Sequence, residues 1–191
     1  MTPRPVKVLT TALLTVVLTV LSAGAARADT RVVGDSLSRQ TYYESAGWHV
    51  DAARGRTLRA SRARVDATAA LEPDALVVAL GSNDVGQLSG SVGADIRHAA
   101  GAAPCVVLTT VKVAGVTPFY SRRWAEWARR WNRAVWASGA HVANWNPIAR
   151  DHPRYFLADG LHLTRAGEVA YDAMLRRAAA SCEPPTASDP S

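Results

Sequence analysis

The sequence lacks the features that would indicate a nucleic-acid-binding or multidomain protein. It has no internal repeat, no low-complexity linker between domains and no motif typical of nucleic-acid binding. Its formal charge is +6, but the first 28 residues hold three of the 22 basic residues and none of the 16 acidic ones, so the remainder carries only +3. This mild charge does not predict a nucleic-acid partner.

Patterns of metal ligands are also missing. Four of the histidines show no ligand spacing and are predicted to be structural or surface residues: His49, His98, His141 and His152. The sequence therefore predicts no metal and no other cofactor. It also has few long insertions, so little of the chain is left to form a lid over a site.

A long apolar run lies at the N-terminus. Arg4 and Lys7 precede the apolar residues 8–21, and Ala26-Arg27-Ala28 has the small-x-small pattern of a signal-peptide cleavage site. We therefore predict a signal peptide over residues 1–28 and a secreted protein. The alternative is an uncleaved anchor, because the apolar stretch approaches the roughly 20 residues that span a bilayer.

The remainder has the length of one domain. Cleavage after Ala28 removes 28 of the 191 residues and leaves 163, enough for a single core. We predict a domain over residues 29–182 and a disordered tail over residues 183–191, which read "EPPTASDPS".

Short apolar runs alternate with amphipathic stretches along this domain, which predicts a parallel α/β sheet between helix layers. The predicted strands are Arg31–Gly34, His49–Ala52, Asp74–Leu80, Cys105–Val111 and His141–Trp145. The last four are rich in Val, Ala and Leu, as expected of strands covered on both faces. The clearest helical patterns are Ser121–Ser138 and Thr164–Ala180, and glycines weaken a third at Gln87–Ala100. Thr164 is a predicted N-cap, and its helix has Ala166, Val169, Ala170, Ala173 and Met174 at helical spacing.

The two cysteines are predicted to meet. Cys105 opens its strand at the edge of the sheet opposite the strand-to-helix turns, and the last helix runs back to deliver Cys182 to the same edge. An exported chain meets an oxidising environment, so we predict a Cys105–Cys182 disulfide. The alternative is two buried free thiols.

Three turns carry polar residues at the edge where the parallel strands end, which is where such folds keep their sites. They read Gly34-Asp35-Ser36, Gly81-Ser82-Asn83-Asp84 and Asp159-Gly160-Leu161-His162. Each alone has an ordinary explanation, such as a helix cap or a turn amide. Together they contain the parts of acyl transfer, because a serine nucleophile needs a histidine base held by a carboxylate, and donors for the oxyanion.

These blocks resemble the SGNH hydrolase family, also called GDSL esterases and lipases. "GDSLS" resembles its first block, "GSND" its third and "DGLH" its fifth, and Gly55 in "AARGRTL" fits the glycine of its second. The resemblance implies a three-layer α/β/α, flavodoxin-like sheet of five parallel strands. It also implies roles: Ser36 as nucleophile, His162 as general base and then acid, and Asp159 as the group that orients it. Ser36 N–H, Gly55 N–H and the Asn83 side chain would form the oxyanion hole, and Asp35 would hold the turn.

The segment "NWNPIARDHPRYFLADGLHLTRAG" is also similar to SGNH domains attached to cell-wall O-acetyltransferases, although those domains usually lack an aspartate at the position of Asp84. The compact chain predicts an open groove for small acyl groups or polymer-borne esters. Possible walls of an acyl pocket are Leu37, Tyr42, Phe119, Tyr120 and Trp145.

The tryptophan-rich helix has two interpretations. Its Trp and Arg residues would suit contact with anionic lipid or cell-wall polymer. A core-facing stripe is favoured, with Trp136 off the stripe and partly exposed; it comprises Trp124, Trp127, Ala128, Trp131, Ala134 and Val135.

The sequence thus predicts a monomeric secreted serine esterase that acts on carboxylic esters. Two alternatives remain at this point: an O-acyltransferase or acetylesterase acting on cell-wall glycan, and a non-catalytic wall- or lipid-binding domain.

Overall fold

A computed structural model describes residues 28–40, 47–84, 92–113 and 122–182 of the chain. Their centre is a five-stranded sheet with strand order β2-β1-β3-β4-β5, in which every pairing is parallel. The strands are β1 Thr30–Gly34, β2 His49–Ala52, β3 Ala75–Ala79, β4 Val106–Thr109 and β5 His141–Ala143. The helices are α1 Ser36–Gln40, α2 Arg62–Ala69, α3 Val92–Ala100, α4 Arg122–Trp136, α5 Trp145–Asp151 and α6 Arg165–Ala180. The predicted three-layer fold is confirmed.

The central strands are buried on both faces. All residues of β3 and β4 are buried, as their continuous Val, Leu and Ala composition predicts. The expectation of full coverage was wrong for β5, where His141 is exposed and Val142 half-buried. It was also wrong for β2, where His49 is exposed and the following three residues are half-buried. β2 is an edge strand, so one of its sides has no neighbouring strand.

The two faces of the sheet carry separate hydrophobic cores. On one face Val33 and Val78 pack with residues of α2, α3 and α4. On the other face Val32 and Val77 pack with residues of α1, α5 and α6. Adjacent residues in a strand point to opposite faces, so the Val-Val pairs of β1 and β3 each supply one side chain to each core.

The tryptophan-rich helix α4 packs on the first core. Ala128, Trp131 and Val135 are buried there, and Trp124 and Trp127 pack against them. The Trp131 Nε1 donates a hydrogen bond to the Thr109 carbonyl at 3.1 Å. Trp136 lies off this stripe with 58% of its surface exposed. The core interpretation of the stripe is therefore confirmed.

Two local predictions differ from the structure. The last strand ends at Ala143, and Trp145 begins the short helix α5, which the sequence patterns did not predict. In α6 the predicted N-cap is confirmed, because Thr164 Oγ1 accepts the Gly167 N–H. Of its apolar residues at helical spacing, Met174 is buried and Ala170 packs against the second core, whereas Val169 is 48% exposed. Tyr171 and Leu175 are also buried in this core.

The edge opposite the strand-to-helix turns holds the predicted disulfide. Cys105 and Cys182 are joined with a Cα–Cα distance of 5.7 Å across a sequence separation of 77. Within the described ranges no helix is long and apolar enough to cross a membrane. Residues 1–27 of the predicted signal peptide and the predicted tail over residues 183–191 lie outside the described residues, as do residues 87–91 of the third helical pattern.

Candidate active site

Ser36 stands where β1 ends and α1 begins. The Asp35 N–H donates to the Ala79 carbonyl of the neighbouring strand at 3.2 Å, and Asp35 Oδ1 accepts the Leu37 N–H at 2.9 Å. A Cβ on Gly34 would lie 2.4 Å from Ser38 Cβ, so only glycine permits this close return of the helix onto the strand. The turn thus presents Ser36 at the carboxyl edge of the sheet, while Asp35 is hidden beneath it.

Asp35 is almost wholly enclosed, with 1% of its surface exposed. Burial raises the pKa of its carboxyl to about 7; the Leu37 N–H opposes this rise and the Asp84 charge adds to it. Asp35 therefore holds the turn, as predicted from its position inside the block, and it does not line the groove.

The Asp159–His162 turn forms a carboxylate–imidazole pair. Asp159 Oδ2 lies 2.6 Å from His162 Nδ1, and Oδ1 accepts the backbone N–H groups of Leu161 and His162, both at 2.9 Å. Burial would raise the pKa of Asp159, but the hydrogen bonds from His162 and Leu161 outweigh it and hold that pKa below its usual range. Because the Asp159 carboxylate can only accept a hydrogen bond, the ring proton of neutral His162 lies on Nδ1, and Nε2 is left as the basic nitrogen.

Two side chains brace this turn. Lys112, after β4, donates from Nζ to the Gly160 carbonyl at 2.9 Å and lies 3.7 Å from the centre of the Phe156 ring. Gln40, at the end of α1, donates to the Leu163 carbonyl and accepts the Leu163 N–H, both at 3.3 Å. Neither residue is predicted from the sequence patterns; a lysine directly after a buried strand was the available signal for Lys112.

The third side of the site is formed by the turns after β2 and β3. Asn83 Nδ2 donates to the Arg56 carbonyl at 3.2 Å, which ties one turn to the other. Both carboxylate oxygens of Asp84 accept the Leu58 N–H, at 2.9 and 3.0 Å. Burial raises the pKa of Asp84 to about 6, while the backbone N–H groups of Leu58 and Arg59 oppose the rise. Gly55 adopts φ +70°, a conformation that favours glycine.

These turns line an open groove with a volume of about 650 Å³. It is lined by Ser36, Arg39, Gln40, Arg54, Gly55, Asn83, Leu157, Leu161 and His162. Of the residues singled out in the sequence, the groove brings together Ser36, Gly55, Asn83 and His162, and Asp159 supports His162 from behind. A smaller groove of about 210 Å³ lies beside Cys182, at the opposite edge of the sheet.

The residues suggested as walls of an acyl pocket are placed differently. Leu37 and Trp145 are 3% and 2% exposed, belong to the second core and line a small cavity together with Ser82 and Leu161. Trp145 packs edge-on against Tyr171 with ring centres 5.0 Å apart. Tyr42, Phe119 and Tyr120 lie outside the described residues.

A family model described as the GDSL-like lipase/acylhydrolase family matches residues 18–170. The chain belongs to this family. Its members are acyl ester hydrolases in general. No curated protein matches the sequence significantly.

Solved structures share the fold of this family member at low sequence identity. The C-terminal catalytic domain of a Streptococcus pneumoniae peptidoglycan O-acetyltransferase, with a methylsulfonyl adduct, aligns with a TM-score of 0.64 and 18% identity, over 81% of this chain and 94% of that domain. A GDSL-like lipase from Bacteroides thetaiotaomicron gives a TM-score of 0.64 at 17% identity, over 81% and 89% of the two chains. A Geobacillus acetyl-xylooligosaccharide esterase gives 0.57 at 15% identity, over 80% and 94%.

Proposed function

We propose that this protein is a secreted serine esterase that hydrolyses carboxylic esters through an acyl-serine intermediate. The observation that carries the proposal is the convergence of Ser36, His162 and Asn83 on one groove, with Asp159 hydrogen-bonded to His162 Nδ1. A nucleophile, a base and a group that orients the base are the combination that activates a serine hydroxyl.

In the first half of the reaction, Ser36 Oγ attacks the ester carbonyl carbon while His162 Nε2 takes its proton. The tetrahedral intermediate collapses when the bond to the alcohol oxygen breaks, and His162 returns the proton to that oxygen. In the second half, water attacks the acyl-serine, His162 takes a proton from the water, and the proton then passes to Ser36 Oγ as the carboxylic acid leaves. Atoms and protons balance over the cycle, and the enzyme is regenerated.

The negative charge of the tetrahedral intermediate needs donors in place before the reaction. The Ser36 N–H, the Gly55 N–H and Asn83 Nδ2 are the proposed donors, and all three residues line the groove. Asn83 is held by the Arg56 carbonyl and Gly55 by its turn, so both groups are positioned by the fold. Donors held in position contribute more than donors that must reorganise.

The open groove supports esters with short acyl groups or esters held on a polymer. Its described lining contains no Phe, Tyr or Trp, and only Leu157 and Leu161 are large and apolar, which provides little surface to bury a long acyl chain. The disulfide supports an extracytoplasmic location, in agreement with the predicted signal peptide.

Hydrolysis of 4-nitrophenyl acetate and 4-nitrophenyl dodecanoate by the purified protein tests the proposal. We expect turnover with a preference for the acetate, and a loss of several orders of magnitude in kcat for Ser36→Ala. Ser138→Ala is the matched control, because the Ser138 hydroxyl caps the Val135 carbonyl in the connection after α4 and does not line the groove. Folded wild-type protein that hydrolyses neither ester would refute the esterase proposal.

A second candidate is transfer of the acyl group from Ser36 to a glycan hydroxyl. The structural likeness to a peptidoglycan O-acetyltransferase domain and the open groove support it, since an acceptor alcohol would take the place of water in the second half-reaction. Product analysis with an acetyl donor and a glycan acceptor separates the two reactions. Acylated glycan formed faster than free acid favours transfer, whereas free acid alone favours hydrolysis.

A further inference from the structure

Two arginines flank the proposed nucleophile and base. Arg39 lies in α1, three residues after Ser36, and Arg54 lies in the turn after β2, next to Gly55. Both side chains are exposed, and both line the groove together with Ser36 and His162. The groove therefore has two cations at its rim, contributed by different parts of the chain.

Within the described ranges neither of these arginines has an ion pair or a side-chain hydrogen bond. By contrast, the neighbouring Arg56 side chain donates to both the carboxylate and the backbone carbonyl of Asp51. Ion pairs with carboxylates engage several other arginines of the domain: Arg31, Arg56, Arg64, Arg150, Arg165 and Arg176. The guanidinium groups of Arg39 and Arg54 are therefore not engaged by any described carboxylate, and both lie at the groove.

The described lining of the groove contains no carboxylate to neutralise these cations. Asp35 and Asp84, which lie near the turns, are buried and turned toward backbone N–H groups. Asp159 is engaged by His162. An anion entering the groove would therefore meet two guanidinium groups and no described competing acidic side chain.

We propose that Arg39 and Arg54 form an anion subsite, and that the ester substrate carries a carboxylate or phosphate group that binds there. This inference rests on the proposed esterase function and narrows its substrate class. The guanidinium group suits such anions because its planar fork donates two parallel hydrogen bonds to two oxygens of a carboxylate or phosphate. With the anion bound, the ester bond is held within the same groove as Ser36, which favours attack on anionic esters over neutral ones.

Three acetyl esters with the same ring test the subsite: methyl 4-acetoxybenzoate, which is neutral, 4-acetoxybenzoate and 4-acetoxyphenyl phosphate. The measured quantity is the ratio of kcat/KM for each anionic ester to that for the neutral ester. Comparing this ratio between wild type and variants cancels the intrinsic reactivity of each ester and any general loss of activity. The two anionic esters distinguish a carboxylate-bearing substrate from a phosphate-bearing one.

The variants are Arg39→Gln, Arg54→Gln and the double variant, each checked by thermal unfolding. We expect the ratio to fall about tenfold for each single change and further for the double variant, on the scale of one charge-assisted hydrogen-bonded contact. Arg177→Gln removes the same charge from an exposed position in the last turn of α6, away from the groove, and should leave the ratio unchanged. Raising the salt concentration should lower the wild-type ratio, because exposed charges are screened. A double variant with the wild-type ratio for both anions would overturn the subsite.

A binding measurement separates failure of the subsite from failure of the esterase proposal. Benzoate and phenyl phosphate are titrated into wild-type protein and the double variant, and binding is followed by NMR. If the wild type hydrolyses none of the esters yet binds one anion, and the double variant does not, the subsite stands while the esterase proposal fails. If the wild type binds neither anion and shows no preference for anionic esters, the subsite is refuted.

Discussion

Asp159 contacts His162 twice: Oδ2 lies 2.6 Å from His162 Nδ1, and Oδ1 accepts the backbone N–H of His162 at 2.9 Å. One carboxylate therefore positions both the ring and the main chain of the same residue. The short turn through Gly160, which has φ +70°, makes this possible. The ring orientation is consequently set within four consecutive residues, and the Lys112 contact to Gly160 ties that unit to the sheet.

Replacing Asp159 with asparagine should remove most of the esterase activity. The neutral amide would neither fix the Nδ1–H tautomer of His162 nor stabilise the imidazolium, so we expect kcat on 4-nitrophenyl acetate to fall about 10³- to 10⁴-fold. Asp151→Asn is the control, because Asp151 is exposed and pairs with Arg150. Equal activity of the Asp159→Asn variant and wild type would rule out the proposed role of Asp159.

Replacing Gly55 with alanine should lower kcat strongly while lowering the free energy of unfolding only modestly. Gly55 has φ +70°, and a Cβ added there would have no atom within 4 Å, so the cost is backbone strain, about 1 kcal/mol, and a shift of the proposed oxyanion donor. Gly139→Ala is a matched control, with φ +82° and equally open space but a position between α4 and β5. We expect similar losses in unfolding free energy for both variants and at least a tenfold loss of kcat for Gly55→Ala only. Equal kcat values would exclude the Gly55 N–H from the oxyanion hole.

The buried Asp35 should make the protein less stable as the pH rises. Its pKa is about 7 in the folded protein against an ordinary value of 3.8, so between these values the folded state holds a proton that the unfolded state has lost. Its contribution to stability is therefore fully present below about pH 4 and is lost as the pH rises to about 7, by up to about 4 kcal/mol. Asp84 acts in the same direction up to about pH 6.

Urea unfolding at about pH 4 and about pH 8 measures this effect. Asp35→Asn keeps an oxygen for the Leu37 N–H and does not titrate, so the loss of unfolding free energy between the two pH values should be smaller than in wild type. Asp151→Asn should leave that loss close to the wild-type value, because Asp151 is exposed and its ion pair with Arg150 holds its pKa below the usual range. A wild-type pH dependence in Asp35→Asn would show that Asp35 is not its source.

Removing the disulfide should destabilise the fold without abolishing activity at low temperature. The bond closes a loop across a separation of 77 residues, and the restriction of the unfolded chain predicts a loss of about 2–5 kcal/mol for the Cys105→Ala, Cys182→Ala double variant. Denaturant unfolding measures the loss, and reduction of the wild type should shift its midpoint in the same direction. Because the disulfide lies at the edge away from Ser36, kcat measured in the cold, well below the unfolding transition, should stay near the wild-type value. Unfolding midpoints that coincide would contradict the prediction.

Local patterns in the sequence were sufficient for much of the fold. The apolar runs identified all five strands, and the Thr164 cap marked the start of α6. Patterns failed where burial depended on distant neighbours. Gly167 of α6 packs so closely on 3₁₀-helical Tyr155 that a Cβ at Gly167 would lie 2.2 Å from the Tyr155 carbonyl oxygen. The spacing of apolar residues within α6 does not predict this contact. The apolar pattern places Trp145 at the end of a strand, whereas the structure places it in the first turn of α5. An apolar side chain is compatible with either position, so the pattern cannot distinguish them.

The amino-acid sequence is sufficient to predict the fold class, the disulfide partners and the groups proposed for chemistry, because these depend on local spacing and on the order of strands along the chain. Its motifs also carry the resemblance to the family. Which other side chains share the groove follows only from the three-dimensional fold. Arg39 and Arg54 line it from separate turns, and Lys112 reaches the Gly160 carbonyl across a separation of 48 residues. Such contacts are set by strand order and helix packing, which bring together residues that no local pattern relates.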